Sequence, residues 1–357
     1  MKRTPQTDQE LVQRFGPETV QQVGPELRQG FGNEDNEPFG PITDLIGLFS
    51  NSQGVHGVTL PGINAIALPD ETAPAPLHIA FKTNTYNELS LEFRPIPGGP
   101  VRNRAVPKNQ FVHALAYRQM ISQIEGDPPA GFQHFEDGIW QWTPDIADPM
   151  DAAKGSIARL TSVPHGNSFL CWGAHASIDS NPPKEDPVNI PDTDFTPQLA
   201  PNAPQELKEF VRNAYTTPIQ QTGVTAAHAN QALIRVVRNQ VEQGYTFENV
   251  VTLMVDTNNP TVPPPPPHPG GVANIDFILN NANFTGISTT FWIETIKPPL
   301  DRTVQPPFQA PPFVQLQYTQ NISLNFAPAN QPEQRITFPH VDVNTLLRQD
   351  RQAMPGS

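Results

Sequence analysis

Between Val314 and Phe326 the side chains Val314, Leu316, Tyr318, Ile322, Leu324 and Phe326 alternate with Gln315, Gln317, Thr319, Asn321, Ser323 and Asn325. A period of two yields one apolar and one polar face only when the chain is extended, so this segment is a β-strand. At about 3.3 Å per residue it would span roughly 43 Å, beyond the usual strand length, and it is expected to bend around a barrel or to carry a bulge. Gln320 interrupts the apolar row and marks the expected irregularity. The alternation returns near the C-terminus, where Ile336, Phe338 and His340 share a face and Thr337 and Val341 take the other. An imidazole therefore lies on the apolar side of the last strand. Pro339 removes a ladder donor beside it, as at a sheet edge or strand end.

Earlier segments follow the same rule. Ile42, Leu45, Ile46 and Phe49 have helical spacing and are read as a short helix leading into the first strand. Leu77, Ile79 and Phe81 form one strand face, and Leu89, Leu91 and Phe93 form another, with a hairpin expected near Tyr86-Asn87. Phe111, His113, Leu115, Tyr117, Gln119 and Ile121 share a face whose reverse carries Val112, Ala114, Ala116 and Met120, the pattern of a strand covered on both sides. Phe132, His134, Glu136, Gly138, Trp140 and Trp142 line the next strand. Ile157–Val163 and Ser168–Trp172 are two more, joined at Pro164-His165-Gly166-Asn167. Regular strands separated by turns describe an antiparallel meander closing as a barrel.

The stretch from 174 to 288 departs from this pattern. A Pro- and Asp-rich loop leads to a helix carrying Leu207, Phe210, Val211 and Tyr215, with Asn202 as its expected cap. A second helix carries Leu233, Ile234, Val237 and Val241, with Thr225 as its cap and Gly244 as its stop. Asn249–Val255 is β-like, and Pro263–Pro267 is a polyproline II spacer. The chain contains 43 prolines in 357 residues, more than twice the usual share of roughly 5%, which implies stiff connections rather than long helices. The organisation expected is an arm over 1–38, the first part of the barrel over 39–173, a loop-and-helix insertion over 174–288, the final barrel strands over 289–348 and a tail over 349–357. The fold class is all-β, an antiparallel barrel with a long insertion.

A net charge of −13 argues against nucleic acid as a partner, because a phosphate backbone needs a basic surface. Cys171 is the single cysteine, so no intramolecular disulfide forms. No apolar run follows Met1–Pro5 as in a secretory signal, and no run approaches the length of a membrane-spanning helix. The expectation is a soluble cytoplasmic protein with a small-molecule ligand or substrate, no membrane partner, and a second copy of itself as a candidate homodimer. Metal-, phosphate- and serine-hydrolase motifs such as His-Glu-x-x-His, Gly-x-x-x-x-Gly-Lys and Gly-x-Ser-x-Gly are absent.

Four blocks carry a resemblance: Pro41-Ile42-Thr43-Asp44-Leu45-Ile46-Gly47, His134-Phe135-Glu136-Asp137-Gly138-Ile139-Trp140, Pro164-His165-Gly166, and Pro339-His340-Val341-Asp342-Val343-Asn344-Thr345-Leu346-Leu347-Arg348. In this order they resemble the nitrobindin-like haem-binding proteins, calycin-type barrels related in shape to lipocalins. The resemblance covers about half of the chain. It departs at Gly47-Leu48-Phe49-Ser50, which lacks the family's Trp, and at His165, where the family has Thr. It implies haem b as cofactor, with His340 as the axial iron ligand and Phe338 beside it.

Haem needs an apolar slot, a nitrogen ligand and a group to orient that ligand. On this reading His165 faces the iron as a hydrogen-bond donor or general acid, with His134 as the competing candidate. His113 and Tyr117 line the cavity, and Arg118 and Arg159 pair with the propionates. The reaction would be peroxidase- or oxygenase-like, on peroxide, dioxygen or nitrogen oxides. Each residue also has a plain structural role to weigh: a core histidine at 340, a turn residue at 165, a wall residue paired with Glu136 at 134, surface ion pairs for the arginines and a small buried hydrophobe at Cys171. Three further readings stand beside haem. They are a haem-free lipocalin-like carrier, a haem-free barrel cyclase or isomerase using His165 or Glu136 as acid or base, and a zinc site from His113, His134 and His340.

Overall fold

The computed structural model describes residues 39–97, 99–104, 106, 109–123, 132–147, 155–179, 182–257 and 270–349. The expected arm over 1–38, the spacer Pro263–Pro267 and most of the tail lie outside them. A 3-10 helix, Gly40–Leu45, precedes thirteen strands: β1 (Gly47–Asn51), β2 (Gly62–Pro69), β3 (Ile79–Pro95), β4 (Val101–Asn103), β5 (Gln110–Gln123), β6 (Phe132–Ala147), β7 (Gly155–Val163), β8 (Asn167–Asp179), β9 (Thr246–Asp256), β10 (Gly271–Asn274), β11 (Asn283–Lys297), β12 (Phe313–Phe326) and β13 (Ile336–Gln349). Helices α1 (Gln205–Thr216) and α2 (Gln231–Glu242) lie between β8 and β9, and the short α3 (Asp276–Asn280) precedes β11.

Ten of these strands close an antiparallel barrel in the order β3-β2-β13-β12-β11-β9-β8-β7-β6-β5, with β5 pairing back onto β3. The antiparallel barrel expected from the alternating segments is therefore the fold. β2 is short and meets β13 only at Val341–Val343, while β1 pairs with β13 at Leu346–Gln349 and with β3 at Phe93–Leu91. The two short strands thus share the slot between β3 and β13, one at each end of the barrel.

Several expectations need correction. β12 is paired along its length to β11 and β13 with no register shift at Gln320. That residue breaks the apolar row because it turns inward as a polar acceptor for Arg159. No hairpin forms at Tyr86-Asn87; β3 runs unbroken from Ile79 to Pro95. A register shift between Glu88 and Ser90 rephases it, so that Glu88 and Tyr86 meet Tyr318 while Leu91 and Phe93 still reach the core.

The boundaries 174–288 also change. β8 continues to Asp179, β9 is a wall strand between β8 and β11, and β11 begins at Asn283. α1 starts after Pro204 and α2 after Asn230, not at Asn202 or Thr225. Asn230 gives no cap because its side chain binds Pro191 O and Thr319 Oγ1 instead.

The first half of the polar face of β12, Gln315 to Thr319, is not wet. Gln315 and Gln317 are fully buried beneath α2, where Gln240 Nε2 donates to Gln315 Oε1 at 2.7 Å and Gln317 Nε2 donates to Leu233 O at 3.3 Å. An apolar layer surrounds these bonds, with Leu233, Val237, Trp292, Val341 and Val343 packed between the helix and the outer barrel wall. Among the described residues no helix is long and apolar enough to cross a membrane.

Inside, Phe49, Phe93, Leu115, Trp140, Ile157 and Phe291 fill one end of the barrel. Gly138 is required there: a Cβ would lie 2.3 Å from Leu160 O and 2.4 Å from the Tyr117 ring. Tyr117 occupies that space, above the apolar floor.

Candidate functional site

The other end of the barrel is open to a cavity of about 240 Å³. The period of two on each strand decides what reaches it. Ile66 and Leu68 of β2, Ile121 of β5 and Ile322 of β12 supply an apolar flank, and His134 of β6, His340 and Asp342 of β13 and His165 of the β7–β8 turn supply polar groups.

A buried ionic layer lies beneath. Arg159 is 2% exposed; its Nε donates to Tyr117 Oη at 2.9 Å and Nη1 to Thr289 Oγ1 at 2.7 Å and Gln320 Oε1 at 2.8 Å, while Nη2 binds the Glu136 carboxylate. Tyr117 Oη also donates to Glu136 and touches Thr161 Oγ1. Three aromatic rings, Tyr117, Trp140 and Phe169, lie within 6 Å of the guanidinium carbon. Burial by itself would push the Glu136 carboxyl up, but the Arg159 charge and the His134 and Tyr117 hydrogen bonds hold it at about 2. Burial opposes the charge on Arg159 as well, and Glu136 overcomes it.

Glu136 reaches up to the cavity through His134, whose Nε2 lies 3.3 Å from Glu136 Oε2. Burial disfavours the imidazolium, yet the Glu136 hydrogen bond and charge raise the His134 pKa above its ordinary value. The His165 ring is 6.1 Å away, centroid to centroid, and burial together with the His134 charge lowers its pKa. Two adjacent imidazoles are thus pushed in opposite directions.

On the facing wall, Asn64 of β2 is the direct cross-strand partner of Asp342. Its Nδ2 lies 2.6 Å from Asp342 Oδ1 and 2.6 Å from His340 Nε2. A flipped amide would press oxygen against a carboxylate oxygen, so the NH₂ group donates to both. His340 Nε2 is then an acceptor, the ring proton sits on Nδ1, and the 3.3 Å approach of Asp342 Oδ2 to Nε2 is not a hydrogen bond. Burial, with the nearby charges of His134 and His165, outweighs Asp342 and lowers the His340 pKa.

The structure brings together His134, His165 and His340 and disperses the other expected site residues. His113 is at the opposite end of the barrel, packed against Phe39 and Trp142 at ring-centroid distances of 6.2 and 5.4 Å. Tyr117 and Arg159 are committed to the ionic layer and do not line the cavity. Arg118 points to solvent, where its Nε binds Asp137 Oδ1 at 2.9 Å, so a propionate contact inside the barrel is ruled out. Phe338 is fully buried and stacks on Phe326 at 4.7 Å. Cys171 is buried, and burial pushes its thiol up to about 12.

Asn64, Asp342, Tyr86, Tyr318 and Glu88 were not anticipated. Asp342 was within reach of the period-two rule, two residues beyond His340; Tyr318 stood in a row read as core. Asn64 and Glu88 carried no local signal, because the first is placed by pairing with a strand at the other end of the chain and the second by a bulge.

No protein-family model matches the chain. No curated protein matches it either. The solved structure of Rv2717c from M. tuberculosis is similar over 88% of this chain and 99% of that one, with 11% identity and a TM-score of 0.36. The barrel described here rests on its own strand pairing.

The residues do not fit haem. The cavity, at about 240 Å³, is smaller than the usual drug-sized ligand site of about 300–1,000 Å³. The His340 Nε2 lone pair is already taken by Asn64. His113 packs against Phe39 and Trp142, away from the cavity that His134 and His340 line, so these three do not meet as a zinc site, and among the described residues no group of three or more His, Cys, Asp or Glu side chains is placed to hold a metal ion.

Proposed function

We propose that this protein is a small-molecule-binding barrel, without haem, whose ligand occupies the cavity at the open end. The observation that carries the reading is the convergence of apolar side chains from three strands with His134, His165, His340 and Asp342 on one cavity, at the end of the barrel opposite the aromatic floor. A ligand with one apolar flank and one hydrogen-bonding edge matches that lining. The nitrobindin-like alternative, with iron on His340, is disfavoured by the Asn64 contact and the cavity size.

A second reading, turnover of the ligand by proton transfer as in a cyclase or isomerase, is favoured by the pairing of His134, raised by Glu136, with His165, lowered by burial. Neighbouring groups driven apart in pKa are how acid and base roles are assigned in a single site.

The test uses isoleucine-methyl NMR with a library of small fragments. Binding fragments are expected to shift the methyl signals of Ile66, Ile121 and Ile322 and to leave Ile157 in the floor unmoved. Fragments that act only elsewhere would overturn the reading, as would a saturable Soret band on haemin addition that disappears in His340→Ala.

A further inference from the structure

The wall of the cavity holds a chain of three groups that binding alone does not use. Tyr86 and Tyr318 both line the cavity, with their hydroxyl oxygens 2.8 Å apart. Tyr318 Oη lies 2.7 Å from Glu88 Oε2. Glu88 is 1% exposed, and its other hydrogen-bond partners are the amides of Gln119, at 2.8 Å, and Asn344, at 3.2 Å. These partners are neutral donors, unlike the guanidinium that fixes Glu136 in its charged form.

A phenol has one proton to donate, so the direction of this chain depends on its end. With Glu88 ionised, Tyr318 donates to the carboxylate, Tyr86 donates to Tyr318, and Tyr86 shows the cavity only oxygen lone pairs. With Glu88 protonated, the carboxylic O–H donates to Tyr318, Tyr318 donates to Tyr86, and the Tyr86 O–H is free to turn toward the cavity.

We propose that Glu88, Tyr318 and Tyr86 form a proton relay serving a ligand that carries a carbonyl-type oxygen. The proposal rests on the small-molecule reading of the cavity and names the ligand class. In the forward step the ligand oxygen takes the Tyr86 proton, Tyr86 takes that of Tyr318, and Tyr318 takes that of Glu88. One O–H bond forms on the ligand and one breaks at Glu88, which is left as a carboxylate. The reverse step restores it, and no electrons are exchanged.

The groups suit these roles. Burial pushes Glu88 up to about 7, with the Tyr318, Gln119 and Asn344 hydrogen bonds and the His134 charge opposing it, which lets it store or release a proton near neutrality. Burial raises both phenols well above their ordinary values, and the charges of Glu88 and Asp342 add to this, so they pass a proton on without holding a phenolate.

Tyrosines labelled with carbon-13 at Cζ report the relay in the intact protein without any ligand. The Tyr86 and Tyr318 signals are both expected to move with a midpoint near pH 7 in the wild type, to move at higher pH in His134→Gln, where the charge that opposes the rise of Glu88 is gone, and to stay flat in Glu88→Gln. In Tyr318→Phe the Tyr86 response is expected to vanish while labelled Glu88 still titrates. A Tyr86 signal indifferent to Glu88, or a transition that survives Glu88→Gln, overturns the relay. Cyclohexanone, an acceptor without a donor, should bind about fivefold tighter at about pH 6 than at about pH 8, and Tyr86→Phe should remove the difference. Equal affinity at both pH values overturns the assignment of ligand class. If cyclohexanone fails to move the Ile66, Ile121 and Ile322 methyls at either pH while the tyrosines titrate as expected, the pocket reading fails and the relay alone stands.

Discussion

Asn64 and His340 are separated by 276 positions in the chain, yet the Asn64 amide lies 2.6 Å from His340 Nε2 while its second N–H holds Asp342. The asparagine fixes the tautomer of the histidine and takes the lone pair that a metal would need.

This relationship predicts the state of the ring. At pH 7 His340 is expected to be the neutral Nδ1–H tautomer, read by nitrogen-15 imidazole NMR. In Asn64→Ala a proton on Nε2 can donate to Asp342 Oδ2, so the tautomer should switch from Nδ1–H to Nε2–H and the His340 pKa should rise. Loss of the two amide bonds should cost about 1–3 kcal/mol in urea unfolding.

The ionic layer predicts an asymmetric double-mutant cycle. Arg159→Met leaves the Glu136 carboxylate buried beside apolar rings, at an expected cost of about 3–5 kcal/mol. Adding Glu136→Gln should recover much of that loss, and denaturant titrations of the four proteins give the coupling directly.

Stability should respond to pH with opposite signs at two of the buried carboxyls, Glu88 and Glu136. Glu88 is raised in the folded state from 4.5 to about 7, so the folded protein binds more protons than the unfolded chain between those values and stability falls as pH rises through that window. The fall attributable to Glu88 is about 3 kcal/mol, and Glu88→Gln should abolish it. Glu136 is depressed from 4.5 to about 2, so its contribution is present above pH 4.5 and is lost as pH drops toward 2. Unfolding curves across pH, compared between wild type and each Gln variant, separate the two.

Packing against Tyr117 makes Gly138 intolerant of any side chain. Because backbone Leu160 O is one of the obstructing atoms, the clash cannot be relieved by a rotamer change, and Gly138→Ala should cost about 1–3 kcal/mol or more by thermal unfolding. A variant as stable as the wild type would show that the strands part more easily than the fold implies.

The resemblance to haem-binding barrels was carried by short blocks, and the blocks did locate residues that meet: His134, His165 and His340 all reach the cavity. Their chemistry was not legible in the same way. Nothing near Arg159 in the chain says that its partners are Glu136, Thr289 and Gln320, and nothing near Gln315 says that a helix covers it.

Alternation of apolar and polar residues is a local property of an extended chain, so it is enough to make this protein an antiparallel β structure and to set which face of most strands turns inward. Which end of the barrel stays open, which inward polar groups meet there and which tautomer His340 adopts depend on register between strands far apart in the chain and on a bulge beside Glu88. Only tertiary structure fixes those, because cross-strand pairing energy is gained after distant segments have been brought together.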